Sequence, residues 1–236
     1  MITVTFDSNV WENIVDPNKR AGQLIYERLH KAIVDQRIKP YFSEVIANIE
    51  AIPSGDRKRH FAQYKLRPEN EKDYELHEYL KENLEKAIAL GFRFLSCPRV
   101  GATSHSLVEN NKADDESHSL KERQERTFEC GRFIENLGAG KGKIHTRLDG
   151  DSNNGLVIQS ARDTSLSDKQ YSKDIGEWAD GDAIASHYGY GIDYFCTNDT
   201  ASGAGTKSVF YADNVKELKD QFDIEIVSPA DLEGLI

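Results

Sequence analysis

The sequence predicts an α/β fold with a mostly parallel central sheet and helices on both faces. Strand-like and helix-like patterns alternate along its 236 residues, as they do in proteins whose parallel strands are joined by helical crossovers. The strand-like runs are short and apolar, which is typical of strands buried on both faces. The length suits one α/β domain, residues 1–236, with a sizeable core.

Five short segments predict the strands of this sheet. Residues 2–6 (ITVTF) alternate and are rich in β-branched side chains, so they predict a first strand that ends at Asp7. A turn is expected at residues 7–9. The other predicted strands are residues 38–42, 92–97, 192–197 and 224–228.

Helices are predicted between these strands. Residues 23–36 carry apolar side chains at helical spacing, and Ser43 can cap a following helix that ends near residues 53–55. Further helices are predicted over residues 74–88, 114–137, 175–188 and 215–222. The long charged stretch 56–171 is expected to hold a helical and loop insertion, and residues 138–171 give no clear pattern.

Composition excludes several functional classes. A formal net charge of −10 argues against a surface that coats nucleic acid, so any nucleic-acid contact has to be local. Cys97, Cys130 and Cys196 are isolated, which supports neither a zinc knuckle nor a disulfide framework. The first residues enter a strand pattern directly, and no segment has the length and apolarity of a membrane span. We therefore expect a cytoplasmic protein that does not contact membranes.

Four acidic residues stand beside the predicted strand ends. Asp7 follows the first strand, Glu44 follows the second, and Asp199 follows the fourth, while Asp182 lies in the helix that precedes the fourth. In open α/β sheets, ligands bind outside the carboxyl ends of the strands. Carboxylates gathered there offer the oxygen ligands that hard divalent cations require. A single such acid is most often a turn former or a helix cap, so only the joint pattern predicts a metal site.

Two segments resemble the sequence motifs of PIN domains, a family of ribonucleases. Residues 4–10 (VTFDSNV) resemble the Asp-Thr-Asn-Val start of that family. Residues 182–199 (DAIASHYGYGIDYFCTND) resemble its late signature, in which a small-residue helix and a glycine-punctuated turn lead to a strand closing on Thr-x-Asp. Residues 42–45 (FSEV) add a third, weaker match. The resemblance implies a three-layer α/β/α domain, with the stretch 56–171 atypical for the family.

The resemblance also implies a ligand set for Mg²⁺ or Mn²⁺. Asp7 and Asp182 would be the principal ligands, and Glu44 would hold the metal or its waters. Asp199, with Thr197 beside it, would complete the pocket. Asn9 would orient Asp7.

Two positions in this set have alternates. Glu50 could supply the glutamate instead of Glu44, although its position at a strand end favours Glu44. Asp180 could supply the aspartate instead of Asp182, although the spacing to the Thr-x-Asp pattern favours Asp182. Whichever of Asp180 and Asp182 is not a ligand is expected to be a helix cap.

The implied function is metal-dependent hydrolysis of RNA phosphodiester bonds. Oxygen ligands select Mg²⁺ or Mn²⁺ rather than zinc, and such an ion acidifies water and neutralises phosphate charge.

Compact members of the family are toxins of bacterial toxin–antitoxin pairs, so an inhibitor protein and a homodimer are both allowed. The basic run Arg57–Arg59, with Lys65 and Arg67, is either a solvated helix face or a phosphate contact. The alternative function is a non-catalytic scaffold or protein-binding domain of the same architecture.

Overall fold

The computed structural model describes residues 1–63, 75–97, 105–114, 117–142, 161–201 and 205–236. It is an α/β fold built on a five-stranded sheet in which every pair of neighbouring strands is parallel. The predicted fold class is therefore confirmed. The strands are β1 (Ile2–Phe6), β2 (Ile38–Ser43), β3 (Arg93–Leu95), β4 (Tyr194–Cys196) and β5 (Glu225–Val227).

Helices precede or follow each strand in the described residues. They are α1 (Ser8–Val15), α2 (Pro17–Arg20), α3 (Leu24–Val34), α4 (Arg57–Gln63), α5 (Glu78–Leu90), α6 (Ser106–Glu109), α7 (Leu120–Asn136), α8 (Asp168–Tyr190), α9 (Ala212–Phe222) and α10 (Pro229–Leu235). Short 3-10 helices cover Glu44–Ala47 and Gly205–Lys207. None of the helices in these ranges is long and apolar enough to cross a membrane.

The strand order places β1 at the centre of the sheet. The order is β3-β2-β1-β4-β5, so the chain builds outward from β1 in one direction and then in the other. Phe6 pairs with Cys196, and the backbone N–H of Asp7 donates to the Cys196 carbonyl at 3.0 Å. Asp7 and Thr197 therefore leave the sheet side by side. This carboxyl edge, where the strand order reverses, is where open α/β sheets bind ligands.

Two apolar cores lie on opposite faces of the sheet. Phe195 and Cys196 are neighbours in β4 but belong to different clusters, because successive side chains in a strand point to opposite faces. One core contains Phe6, Trp11 and Phe42 and is covered by α1, α3, α5 and α10. The other contains Trp178 and is covered by α7 and α8.

The main difference from the predicted elements occurs directly after β1. A turn was expected at residues 7–9, but α1 begins at Ser8 and Asp7 is its N-cap, with Oδ1 accepting from the Ser8 N–H at 2.8 Å. An Asp at this position satisfies one of the N–H groups that the first turn leaves without a partner. The helix predicted after Ser43 is replaced by the 3-10 helix Glu44–Ala47, which the Ser43 hydroxyl caps.

The stretch 56–171 contributes to the fold where the structure describes it. β3 pairs with β2 and extends the sheet, and α7 packs along α8. Lys65, Arg67 and the polar residues 149–155 lie outside the described residues. Whether this stretch is atypical for PIN domains stays a prediction.

The contact between α7 and α8 depends on glycine at position 189. A Cβ built there would lie 2.0 Å from Thr127 Oγ1 and 3.0 Å from the Arg123 carbonyl oxygen. We expect Gly189→Ala to lower the free energy of unfolding by about 1–3 kcal/mol, the usual cost of overpacking a well-packed contact. Urea denaturation measures this change.

Gly176 is the matched control, because it lies in the same helix. A Cβ there would meet only Arg57 Nη1, at an ordinary 3.8 Å. Gly176→Ala is expected to raise the free energy of unfolding by up to about 1 kcal/mol through helix propensity. Equal urea midpoints for the two variants would contradict the close approach of α7 and α8.

Candidate metal centre

Three carboxylates meet at the carboxyl edge of the sheet. Asp7, Glu50 and Asp180 each offer one oxygen, and these oxygens all lie within 4.8 Å of one another. We call these three residues the acidic cluster. They come from the end of β1, from the turn after the 3-10 helix and from the middle of α8, so distant parts of the sequence build one site.

Four hydrogen bonds hold the carboxylate and the backbone N–H of Asp7 in place. Thr197 Oγ1 and Asn9 Nδ2 each donate to its Oδ2 at 2.7 Å, and the Ser8 N–H donates to Oδ1, while its own N–H binds Cys196. Burial raises the pKa of Asp7, and the charge of Asp199 adds to the rise, while these side-chain and backbone donors oppose it. The position predicted for Asp7, and the positions predicted for Asn9 and Thr197 beside it, agree with this arrangement.

Glu50 brings a buried oxygen that is left without a hydrogen bond. Its backbone N–H donates to the Val45 carbonyl at 2.9 Å, and its Oε2 is fully buried with no hydrogen-bond partner among the described residues. Burial raises the pKa of Glu50 to about 7, and the Asp7 charge adds to the rise, whereas Arg57 and the Ser8 side chain oppose it. Such an oxygen is costly to bury unless a partner joins it.

Asp180 faces the other two carboxylates from α8. Its pKa is raised well above its ordinary value, first by burial and then by the charges of Asp7, Glu50, Glu177 and Asp199. Several like charges at close range make the ionised form of Asp180 unfavourable unless a cation is present.

Asp182 lies on a different side of α8 and does not join the cluster. Residues two apart on an α-helix are separated by about 200° around its axis, so only one of Asp180 and Asp182 can face Asp7. The Trp178 indole N–H donates to Asp182 Oδ2 at 2.8 Å, and Asp182 is buried. The structure therefore does not place Asp182 beside Asp7, where it was expected as a ligand. Its alternate Asp180 takes that position.

Glu44 is also outside the cluster. It is buried at the start of the 3-10 helix, where burial raises its pKa to about 7 and the most influential charged neighbours are Lys112 and Glu109. The charges of Glu44 and Asp182 both raise the pKa of Cys97, after burial, to about 12. The two favoured acids thus border Cys97, while their alternates Glu50 and Asp180 border Asp7.

Asp199 lies at the margin of the cluster. Its charge raises the pKa values of both Asp7 and Asp180, but its Oδ1 accepts from the Ala201 N–H at 2.7 Å and its own N–H donates to Thr197 Oγ1 at 3.0 Å. These bonds fix the loop after β4. Asp199 is near enough to influence the site electrostatically, although its carboxylate is not in the three-residue group.

Arg57 is the cation beside the cluster. It lines a cleft of about 540 Å³ that also contains Asp180, Lys169 and Lys173. It lines a second cleft of about 340 Å³ that contains Glu50. The sequence marked the basic run Arg57–Arg59 as either solvated or phosphate-binding, but gave no sign that Arg57 would be the member of the run whose charge interacts with Glu50 and Asp180.

Comparisons with known proteins identify no relative of this chain. Neither a protein-family model, nor a curated protein, nor a solved structure matches the chain. The resemblance to PIN domains therefore depends on the sequence motifs alone.

Proposed function

We propose that this protein is a PIN-type nuclease that uses Mg²⁺ or Mn²⁺ to hydrolyse phosphodiester bonds in RNA. The observation that carries the proposal is the convergence of Asp7, Glu50 and Asp180 within 4.8 Å at the carboxyl edge of the sheet. A scaffold gains nothing from three mutually repelling carboxylates at one place, since their repulsion lowers its stability.

The residues present fit a hard divalent cation. All three donors are carboxylate oxygens, which Mg²⁺ and Mn²⁺ prefer. Glu50 Oε2 is buried without a hydrogen bond among the described residues, and a cation would give it a partner. Burial raises the pKa of all three acids, and the charges of neighbouring acids add to each rise, so a bound cation would favour their ionised forms.

Each residue has a distinct role in the proposed reaction. A bound Mg²⁺ or Mn²⁺ supplies an acidified water and neutralises charge on the phosphate. Thr197, Asn9 and the Ser8 N–H keep Asp7 in one orientation. Glu50 would hold the ion through a carboxylate oxygen, and the ion would lower the pKa of Glu50, which burial raises to about 7 in its absence.

The proposal is tested with purified protein and a short single-stranded RNA. We expect cleavage with Mn²⁺ or Mg²⁺, no cleavage in excess EDTA, and recovery when Mn²⁺ is added back. Mn²⁺ at about one hundred times its Kd should stabilise the fold by about 2.7 kcal/mol, which thermal melting detects. If Mn²⁺ produces no binding heat, no thermal shift and no cleavage, the protein is a scaffold or a protein-binding domain instead.

A further inference from the structure

The guanidinium of Arg57 is fixed by two backbone carbonyls. Its Nε donates to the Ile52 carbonyl at 3.0 Å, and its Nη1 donates to the Ser172 carbonyl at 3.3 Å. These bonds tie the first residue of α4 to the first turns of α8. An arginine held in this way presents its remaining N–H groups in a fixed direction, so it loses little entropy when it binds an anion.

This fixed cation lies beside the acidic cluster. Burial lowers the pKa of Arg57, and the charges of Glu50 and Asp180 oppose this shift. Arginine stays charged at any working pH. One guanidinium does not balance the cluster, and an arginine next to acidic metal ligands can hold a phosphate oxygen on the side that a metal ion leaves open.

Arg57 also stands where two clefts meet. Both clefts are lined by Arg57 and Gly176, and one of them contains Glu50 while the other contains Asp180. We call the larger one, which also contains Lys169 and Lys173, the lysine cleft. Arg57 therefore borders both clefts, and each cleft contains one acid of the cluster.

The lysine cleft follows one face of α8. Lys169, Lys173, Gly176 and Asp180 are separated by four, three and four residues, which is the spacing of one helix face. At 1.5 Å per residue, the distance from Lys169 to Asp180 along the axis is roughly 16 Å. A stacked strand rises ~3.4 Å per nucleotide, so this face spans about five nucleotides.

The size of the cleft favours an unpaired strand, and its basic residues Arg57, Lys169 and Lys173 are matched in number by the acidic residues Asp168, Glu177 and Asp180. Its volume of about 540 Å³ is that of a small-ligand pocket, which admits a few nucleotides but not a duplex. The formal net charge of −10 leaves little of the surface able to attract a long duplex. Lys169 and Lys173 are both exposed, so their ammonium groups can reach phosphates along this path.

We propose that Arg57 binds the scissile phosphate and that the lysine cleft binds the flanking phosphates of single-stranded nucleic acid. This inference rests on the proposed nuclease function and names the substrate-binding surface of the same site. Lys169 and Lys173 contribute affinity without base specificity. Arg57 contributes to the reaction itself, because the negative charge it faces increases as the phosphate is attacked.

The test compares three changes with a matched control. Lys169→Gln combined with Lys173→Gln is expected to raise KM for a single-stranded RNA about tenfold while kcat stays within about twofold. Each lost phosphate contact lowers the slope of log affinity against log salt by about 0.7 for single strands, so the double variant should lower it by about 1.4. Arg57→Gln is expected to lower kcat about 100-fold or more, and Arg57→Lys should recover part of that loss.

Arg59→Gln is the control. It removes the same charge from the same helix, but Arg59 is exposed and pairs with Asp56, so wild-type kinetics are expected. Mn²⁺ affinity by calorimetry should be unchanged or tighter in Arg57→Gln, since a cation that repels the metal has gone. If Arg57→Gln also lost Mn²⁺ binding, Arg57 would be supporting the fold of the cluster and not the phosphate.

Binding of a fluorescent single-stranded RNA in EDTA, followed by anisotropy, separates the two proposals. If the wild type cleaves RNA but the double lysine variant keeps the wild-type KM and salt slope, the lysine cleft is overturned and the nuclease stands. If the wild type cleaves nothing, the nuclease fails, while strand binding that the double variant loses still supports the cleft. A wild type that binds no strand overturns the cleft in either case. The lysines are exposed, so this variant tests the proposal even if Arg57→Gln unfolds.

Discussion

Replacing Asp180 with asparagine is expected to abolish metal-dependent cleavage, whereas the same change at Asp182 should leave most of it. Asp180 contributes an oxygen to the acidic cluster, and the charge stabilisation that a metal ion provides is worth several kcal/mol, which is about a thousandfold in rate. Asp182 accepts from the Trp178 indole, and an asparagine at that position still offers a carbonyl acceptor. Steady-state cleavage rates and Mn²⁺ calorimetry measure both variants.

The glutamates form a second matched pair. Glu50→Gln should remove cleavage and Mn²⁺ binding, while Glu44→Gln should retain both, because Glu44 lies beside Lys112 and Cys97 instead of beside Asp7. Without metal, Asp180→Asn and Glu50→Gln are expected to melt at a higher temperature than the wild type, since each relieves repulsion. The opposite pattern, with activity lost at Glu44 and Asp182 alone, would show that metal binding rearranges the site.

The sequence was sufficient to locate Asp7 and the partners that position it. Strands 2–6 and 192–197 are recognisable from their apolar and β-branched residues, and parallel strands that are neighbours bring their carboxyl ends to one edge. The registry of Phe6 with Cys196 then places Asp7 beside Thr197. This inference needs only strand identity and parallel pairing, and both follow from local patterns.

The choice between Asp180 and Asp182 needed information that the sequence does not carry. α8 is buried on nearly every side. Its apolar residues therefore do not form a single stripe, and the sequence does not indicate which side of the helix faces the sheet. The rotation is set by its packing on α7 and the following loop, where a Cβ on Gly181 would lie 3.0 Å from Gly140 Cα. The Trp178 hydrogen bond to Asp182 is visible only once that rotation is known.

Glu44 was favoured over its alternate Glu50 for a different reason. The sequence predicted a continuous helix after Ser43, but the chain forms a 3-10 helix over Glu44–Ala47 and then a turn. The direction of a side chain in an irregular turn depends on backbone angles that periodicity does not report. Position at the strand end therefore favoured Glu44, which faces Cys97.

Without metal, the protein is expected to become more stable as the pH falls from about 7.5 to about 5. Glu50 has a folded-state pKa of about 7 against an ordinary value of 4.5, so the folded state holds a proton that the unfolded state has released. Between these values stability falls as the pH rises, by about 1.4 kcal/mol for each pH unit, or about 3 kcal/mol for this residue in full. Glu44 has the same raised pKa and adds a similar amount. Urea denaturation in EDTA at a series of pH values measures this slope.

With Mn²⁺ present, the contribution of the acidic cluster to stability is expected to increase as the pH rises. Metal binding requires deprotonated carboxylates, so it releases protons and strengthens as the pH rises. Calorimetry in two buffers with different ionisation heats counts the released protons. Glu50→Gln should remove both its share of the metal-free slope and the response to Mn²⁺, while Glu44→Gln should remove its share of the slope alone. A wild-type protein whose metal-free stability rises between pH 5 and 7.5 would contradict the raised pKa values.

A separate group, His187, lowers the stability of the metal-free protein at acid pH. This imidazole is fully buried, its Nδ1 shares a hydrogen bond of 2.9 Å with Thr5 Oγ1, and burial lowers its pKa to about 3. The unfolded chain takes up a proton near pH 6.5, so the stability due to neutral His187 is fully present above that pH and is lost as the pH falls towards 3. Protonation of Glu44 and Glu50 stabilises the folded state by more than this loss until the pH reaches their ordinary pKa of 4.5. Below that pH the two glutamates add no further stability. His187→Gln is therefore expected to flatten the fall in metal-free stability at acid pH. At neutral pH the ionised carboxylates of the acidic cluster lower the stability of the metal-free fold, so under the proposed function the site loses stability and gains metal affinity.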